Sequence, residues 1–94
     1  DPDVMRQIVD VHFPSINDDM AEACIATFYR LREFRGIEKK PATRELINWI
    51  RALKADPDFK VGKLRRGDSP YLGILFKKSA DLNLAAQQMS RLRM

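Results

Sequence analysis

Apolar residues in this chain recur three and four positions apart, and nowhere alternate with polar ones for long enough to make a convincing strand. A spacing near 3.6 is the repeat of an α-helix, whereas a spacing of two marks a half-buried strand. The pattern therefore restricts the 94 residues to an all-α fold, a small bundle of four or five helices. Phe59-Lys60-Val61 is at most a short extended piece. A mass of 10.9 kDa corresponds to roughly 5,600 Å² of folded surface, against about 15,800 Å² unfolded, which leaves room for one core and no second.

Proline, glycine and short polar residues mark the helix ends. Asp1-Pro2 reads as an N-cap with proline at the first helical position, and Pro14 ends that helix. Val4, Ile8 and Val11 form its apolar stripe, with Met5 and His12 alongside. Asn17-Asp18-Asp19 opens a second helix whose stripe is Met20, Cys24, Phe28 and Leu31, widened by Ala21 and Ile25. Arg30, Arg32 and Arg35 crowd its carbonyl end, and Gly36 suits the C′ position. A third helix follows Pro41, with Leu46, Ile50 and Leu53 inward, Ile47 and Trp49 flanking them, and Arg44, Asn48, Arg51 and Ala55 outward. Asp56-Pro57-Asp58 terminates it. Residues 57–68 read as a basic loop carrying Lys60, Lys63, Arg65 and Arg66. Asp68-Ser69-Pro70 reads as a cap for a short helix from Tyr71 to about Lys78, and Ser79 as the cap of a last helix bearing Leu82, Ala85, Met89 and Leu92.

Several functions fail on inventory. The four glycines build neither G-x-x-x-x-G-K nor G-x-G-x-x-G, so this stretch has no phosphate-cradling loop. One histidine, His12, and one cysteine, Cys24, cannot make a multi-ligand metal site or an internal disulfide. Both fall on apparent core faces, which argues against a catalytic pair and for Cys24 as a small buried hydrophobe in a reduced, cytoplasmic compartment. The carboxylate pairs Asp18/Asp19 and Asp56/Asp58 flank helix ends, where capping explains them. The longest apolar run, Tyr71 to Phe76, falls far short of the ~20 residues that span a membrane. The acidic opening is unlike a signal peptide, and the absence of an initiator methionine suggests a piece of a longer chain.

The net charge of +4 is unevenly spread. Residues 1–38 hold four basic and eight acidic side chains, and residues 39–94 hold thirteen and five. A basic second half admits an anionic partner, so a nucleic-acid-binding or protein-interaction module is the alternative to any nucleotide-linked role. The basic loop could clamp phosphate or simply be solvated. Trp49 reads as core packing. Arg44 stands out because it occupies the first turn of the third helix, where a cation opposes the helix dipole. There its guanidinium would extend an anion-binding helix start that includes Thr43; otherwise it is a surface arginine paired with Glu45 or Glu38.

The stretch Lys39-Lys40-Pro41-Ala42-Thr43-Arg44-Glu45-Leu46-Ile47-Asn48-Trp49-Ile50-Arg51-Ala52-Leu53 resembles the segment opening the third lid helix of MoxR-type AAA+ ATPases. Arg6-Gln7-Ile8-Val9 with His12-Phe13-Pro14, then Phe28-Tyr29-Arg30-Leu31-Arg32, then Pro70-Tyr71-Leu72-Gly73 resemble other parts of that lid, in order. The resemblance covers residues 1–83 and leaves 84–94 unmatched. It implies that residues 1–94 are one helical lid subdomain cut from a longer ATP hydrolase. It also implies an upstream α/β core holding ATP and Mg, and a homo-oligomeric ring in which the lid meets a neighbouring subunit. Arg44 matches the sensor-two arginine that contacts the terminal phosphates. The isolated piece is expected to bind no nucleotide tightly, because most phosphate ligands would lie upstream. Nucleic acid is not an expected partner on this reading.

Overall fold

In the computed structural model, which describes residues 1–92, local capping sets the first two helix starts. Helix α1 (Pro2–His12) begins where the Asp1 carboxylate accepts the Val4 N–H at 3.0 Å. Helix α2 (Asp18–Arg32) begins where the Asn17 side chain accepts the Met20 N–H at 3.2 Å, with Asp18 and Asp19 complementing the dipole. Helix α3 (Thr43–Ala55) has alanine at its N-cap, so Glu45 reaches back instead and accepts the Ala42 N–H at 2.9 Å. Helices α4 (Val61–Arg65), α5 (Leu72–Leu75) and α6 (Ser79–Leu92) complete the bundle, and no strand forms among the described residues.

Helices α2 and α3 make the centre. Helix α1 packs on both, α4 on α2, and α5 on α3, with α6 against α5. Phe28, Leu31, Leu46, Trp49, Ile50 and Leu53 are buried together, and Arg44, Asn48, Arg51 and Ala55 face out as their spacing predicts. The accessible surface is 5832 Å², within a few per cent of that expected for one collapsed core.

The all-α expectation holds, and the helix count is six among the described residues because the presumed loop 57–68 contains α4. Its end is a Schellman closure: the Asp68 N–H donates to Lys63 O at 2.8 Å and the Gly67 N–H to Leu64 O at 3.1 Å. Gly67 adopts the left-handed φ of 82° that this closure requires. Leu64, 2% exposed, pins the turn to the core.

Five further expectations are corrected. Val4 and Val11 of α1 point outward, at 51% and 78% exposure, while Met5 and Val9 are buried. At about 100° per residue the apolar arc from Val11 through Val4, Ile8 and Met5 to Val9 spans about 160°, wide enough to offer two faces, and the structure uses the second. His12 is exposed rather than core-facing. Helix α2 ends at Arg32, so Gly36 is not its C′ residue; it sits in the following connection at φ 80°, packed near Leu84. Asp68-Ser69-Pro70 does not cap α5. Tyr71, left-handed at φ 61°, precedes that helix, and the Pro70 carbonyl accepts from the Trp49 Nε1–H at 2.8 Å. Ser79 is the first residue of α6, whose chain runs through 84–92 of the unmatched tail; residues 93–94 lie outside the described residues.

Candidate functional site

Arg44 and Thr43 open α3 beside the end of α1. Together with His12, Ile47, Asn48 and Arg51 they line a groove of about 310 Å³ that contains no carboxylate. Thr43, the first helical residue, also borders a neighbouring groove of about 360 Å³ with Asp1, Met5, Phe28, Tyr29 and Arg32.

The Arg44 side chain forms no hydrogen bond or ion pair with any described residue. The two carboxylates that sequence offered as partners are engaged elsewhere. Glu38 pairs with Lys78 at 2.7 Å. Glu45, buried, caps Ala42 and lies 3.7 Å from Lys77. Arg51 is steadied by Asn48 Oδ1 at 3.1 Å and sits over the Phe13 ring, 5.8 Å from its centre. Lys54 faces the same ring at 5.9 Å. The outer face of α3 is therefore cationic over three turns, because its one acidic residue has turned inward to cap the helix.

Basic residues elsewhere are more often matched. Arg6 bonds Asp10 and Asp18, and both partners hold its guanidinium pKa above the ordinary value, Asp18 most strongly. Arg65 of α4 pairs with Asp19 at 3.3 Å. The charge of Lys63 helps hold the nearby Asp56 carboxyl below the usual carboxylate range, after the Asp58 N–H and the Tyr71 hydroxyl. Part of the basic stretch is therefore matched within the fold, Arg65 by Asp19 and Lys63 by the nearby Asp56.

Cys24 is fully buried, and burial alone pushes its thiol up to about 12. It is far from the thiolate form at neutral pH and is enclosed, while His12 is at the surface, so the two make no reactive pair. An aromatic disulfide reagent is expected to leave Cys24 unmodified in the folded protein and to titrate one thiol after denaturation. Fast labelling of the native state would contradict this placement. No group of three or more His, Cys, Asp or Glu side chains comes together in a metal-holding arrangement among the described residues.

Sequence reasoning missed Asp81. It is 1% exposed and accepts the Glu38 N–H at 2.8 Å and the Lys39 N–H at 2.9 Å. Its partners lie more than 40 residues away in the chain, so no local pattern marks it. Those two bonds, Glu38 first, hold its carboxyl below the usual carboxylate range against the opposing effect of burial.

Among the described residues no helix is long and apolar enough to cross a membrane. No protein-family model, curated protein or solved structure matches the chain.

Proposed function

We propose that this chain is the nucleotide-sensing lid of a MoxR-like AAA+ ATPase, closing over ATP and Mg held in an upstream α/β core of the same chain. The observation that carries the reading is Arg44, a cation without an internal partner, at a helix start that lines a carboxylate-free groove. An unpaired arginine beside free helix N–H groups is suited to a polyanion. The exposed valines of α1 support the same reading, because Val11 adjoins His12 of that groove and an apolar strip is what a docked core would cover.

On this reading Arg44 neutralises charge that develops on the terminal phosphates, and Thr43 lies at the helix start beside it. Hydrolysis releases Arg44, the lid rotates, and a neighbouring subunit of a homo-oligomeric ring receives the movement. The parent would be a cytoplasmic chaperone-like or remodelling ATPase, and this piece alone would not be an enzyme.

Arg44→Ala in the full-length parent is expected to lower ATP turnover by about 10-fold or more, the scale of a lost transition-state contact. Unchanged turnover would remove Arg44 from the mechanism. Peptide mass spectrometry of the native protein tests the reading more directly. A phosphate loop of the G-x-x-x-x-G-K-[ST] type upstream of Asp1 supports it. A native start at Asp1, or an upstream region lacking that loop, overturns it.

A further inference from the structure

The connection between α2 and α3 has no regular structure of its own, yet it carries the residues that place Arg44. Its contacts come largely from the C-terminal third of the chain. Asp81 takes the N–H groups of Glu38 and Lys39, Lys78 pairs with Glu38, and Gln88 Nε2 donates to Arg35 O at 2.9 Å. Leu84 packs on Gly36 so closely that a Cβ there would come within 3.2 Å of its Cδ1. Beyond the connection, Lys77 reaches Glu45, the residue that closes the α3 start. From the opposite side, Arg32 donates to the Pro41 carbonyl while lying over Phe28.

A carboxylate buried to this degree is retained at a desolvation cost that its two backbone donors offset. Those donors belong to a connection that would otherwise leave its N–H groups to water. The bonds therefore fix the connection's path, and the path fixes where Pro41 and Ala42 deliver the chain into α3.

We propose that Asp81 is a positioning residue for Arg44: by binding the Glu38 and Lys39 amides it joins α6 to the start of α3, so that α6 and the arginine move as one body. This rests on the lid reading for what Arg44 does, but the mechanical link stands on the contacts alone. Residues 84–92, which the family resemblance does not reach, thereby gain a role as the outer part of the lever that sets Arg44.

Native-state amide exchange on this chain tests the link. In the unmodified protein, the Glu38 and Lys39 amides are expected to open together with those of Ala42 and Leu46, with one shared denaturant dependence. Asp81→Asn presents an amide group where one of the two donors needs an acceptor. It should speed exchange at all four amides by about 10-fold, the effect of roughly one lost hydrogen bond, and leave Cys24, Phe28 and Leu31 in α2 unchanged. Acceleration confined to Glu38 and Lys39 would overturn the proposal, as would equal acceleration throughout α2. Should Asp81→Asn fail to fold, separate opening of the two amide pairs in the unmodified protein overturns it equally.

In the full-length parent, Asp81→Asn should reduce kcat by about 3- to 10-fold through misplacement of Arg44, and add nothing further in an Arg44→Ala background. A multiplicative loss in the double variant would overturn the positioning role. If Arg44→Ala alone changes nothing, Arg44 leaves the mechanism, while the exchange experiment still decides whether Asp81 holds α3.

Discussion

Trp49→Ala is expected to destabilise the fold by about 3–5 kcal/mol, which for a domain of this size lowers Tm by roughly 15–30 °C. Trp49 is fully buried on α3, where the bundle's two central helices meet, and it is the largest side chain in the core. Its removal opens a cavity that flanking helices cannot collapse into, because α3 is packed against α1, α2 and α5 at once. It also strands the Pro70 carbonyl, which accepts the indole N–H at 2.8 Å. Trp49→Phe separates the two contributions: it keeps a ring but leaves that carbonyl without its donor, a loss of about 1–3 kcal/mol. Far-ultraviolet circular dichroism during urea or thermal unfolding reads both variants without needing the lost fluorophore. An alanine variant melting within a few degrees of the unmodified protein would show that Trp49 is not the centre of the core.

Acid should unfold this protein partly through Asp81. The folded-state carboxyl titrates below its unfolded value, because the Glu38 and Lys39 N–H groups favour the charged form. The folded state therefore binds fewer protons than the unfolded state between the two values. The stabilisation is present in full above the unfolded value near pH 4 and is lost as pH falls through the folded one. Asp81→Asn should accordingly lower the urea midpoint at pH 7, with the gap to the unmodified protein narrowing as pH is taken below about 4. Asp56, held low by the Asp58 N–H and the Tyr71 hydroxyl, adds an acid dependence of the same sign, which the Asp81 comparison cancels. A gap that stays constant down to pH 2 would mean that the Asp81 carboxylate does not favour the folded state.

The candidate site was partly legible before any coordinates. Arg44 was visible because a cation in a first helical turn breaks a local electrostatic preference, and such breaks can be read from neighbours alone. Its isolation was not legible. Glu45 and Glu38 stand close in sequence and looked like partners, and only the fold shows them turned toward Ala42, Lys77 and Lys78. Arg51 gained its place in the groove from Asn48 and Phe13, the latter on a different segment. For α4 the signal was present, since Gly67 follows a short run ending in cations, but a five-residue helix needs Leu64 anchored in a core to be worth forming.

By itself the sequence determined the helical state, both ends of α1 and α3, and the start of α2. Asp1, Asn17, Pro14 and Asp56 act through atoms within about one turn, so their chemistry is complete in a short window. It also determined the faces of α2 and α3, whose apolar stripes admit one inward direction. Tertiary structure decided which face of α1 is buried, because its apolar arc was wide enough for two and only the positions of α2 and α3 choose between them. It also decided the burial of Asp81, whose two donors lie more than 40 residues upstream. Helix formation is settled by contacts three and four residues apart, whereas facing and charge burial depend on surfaces that come together only when the whole chain has folded.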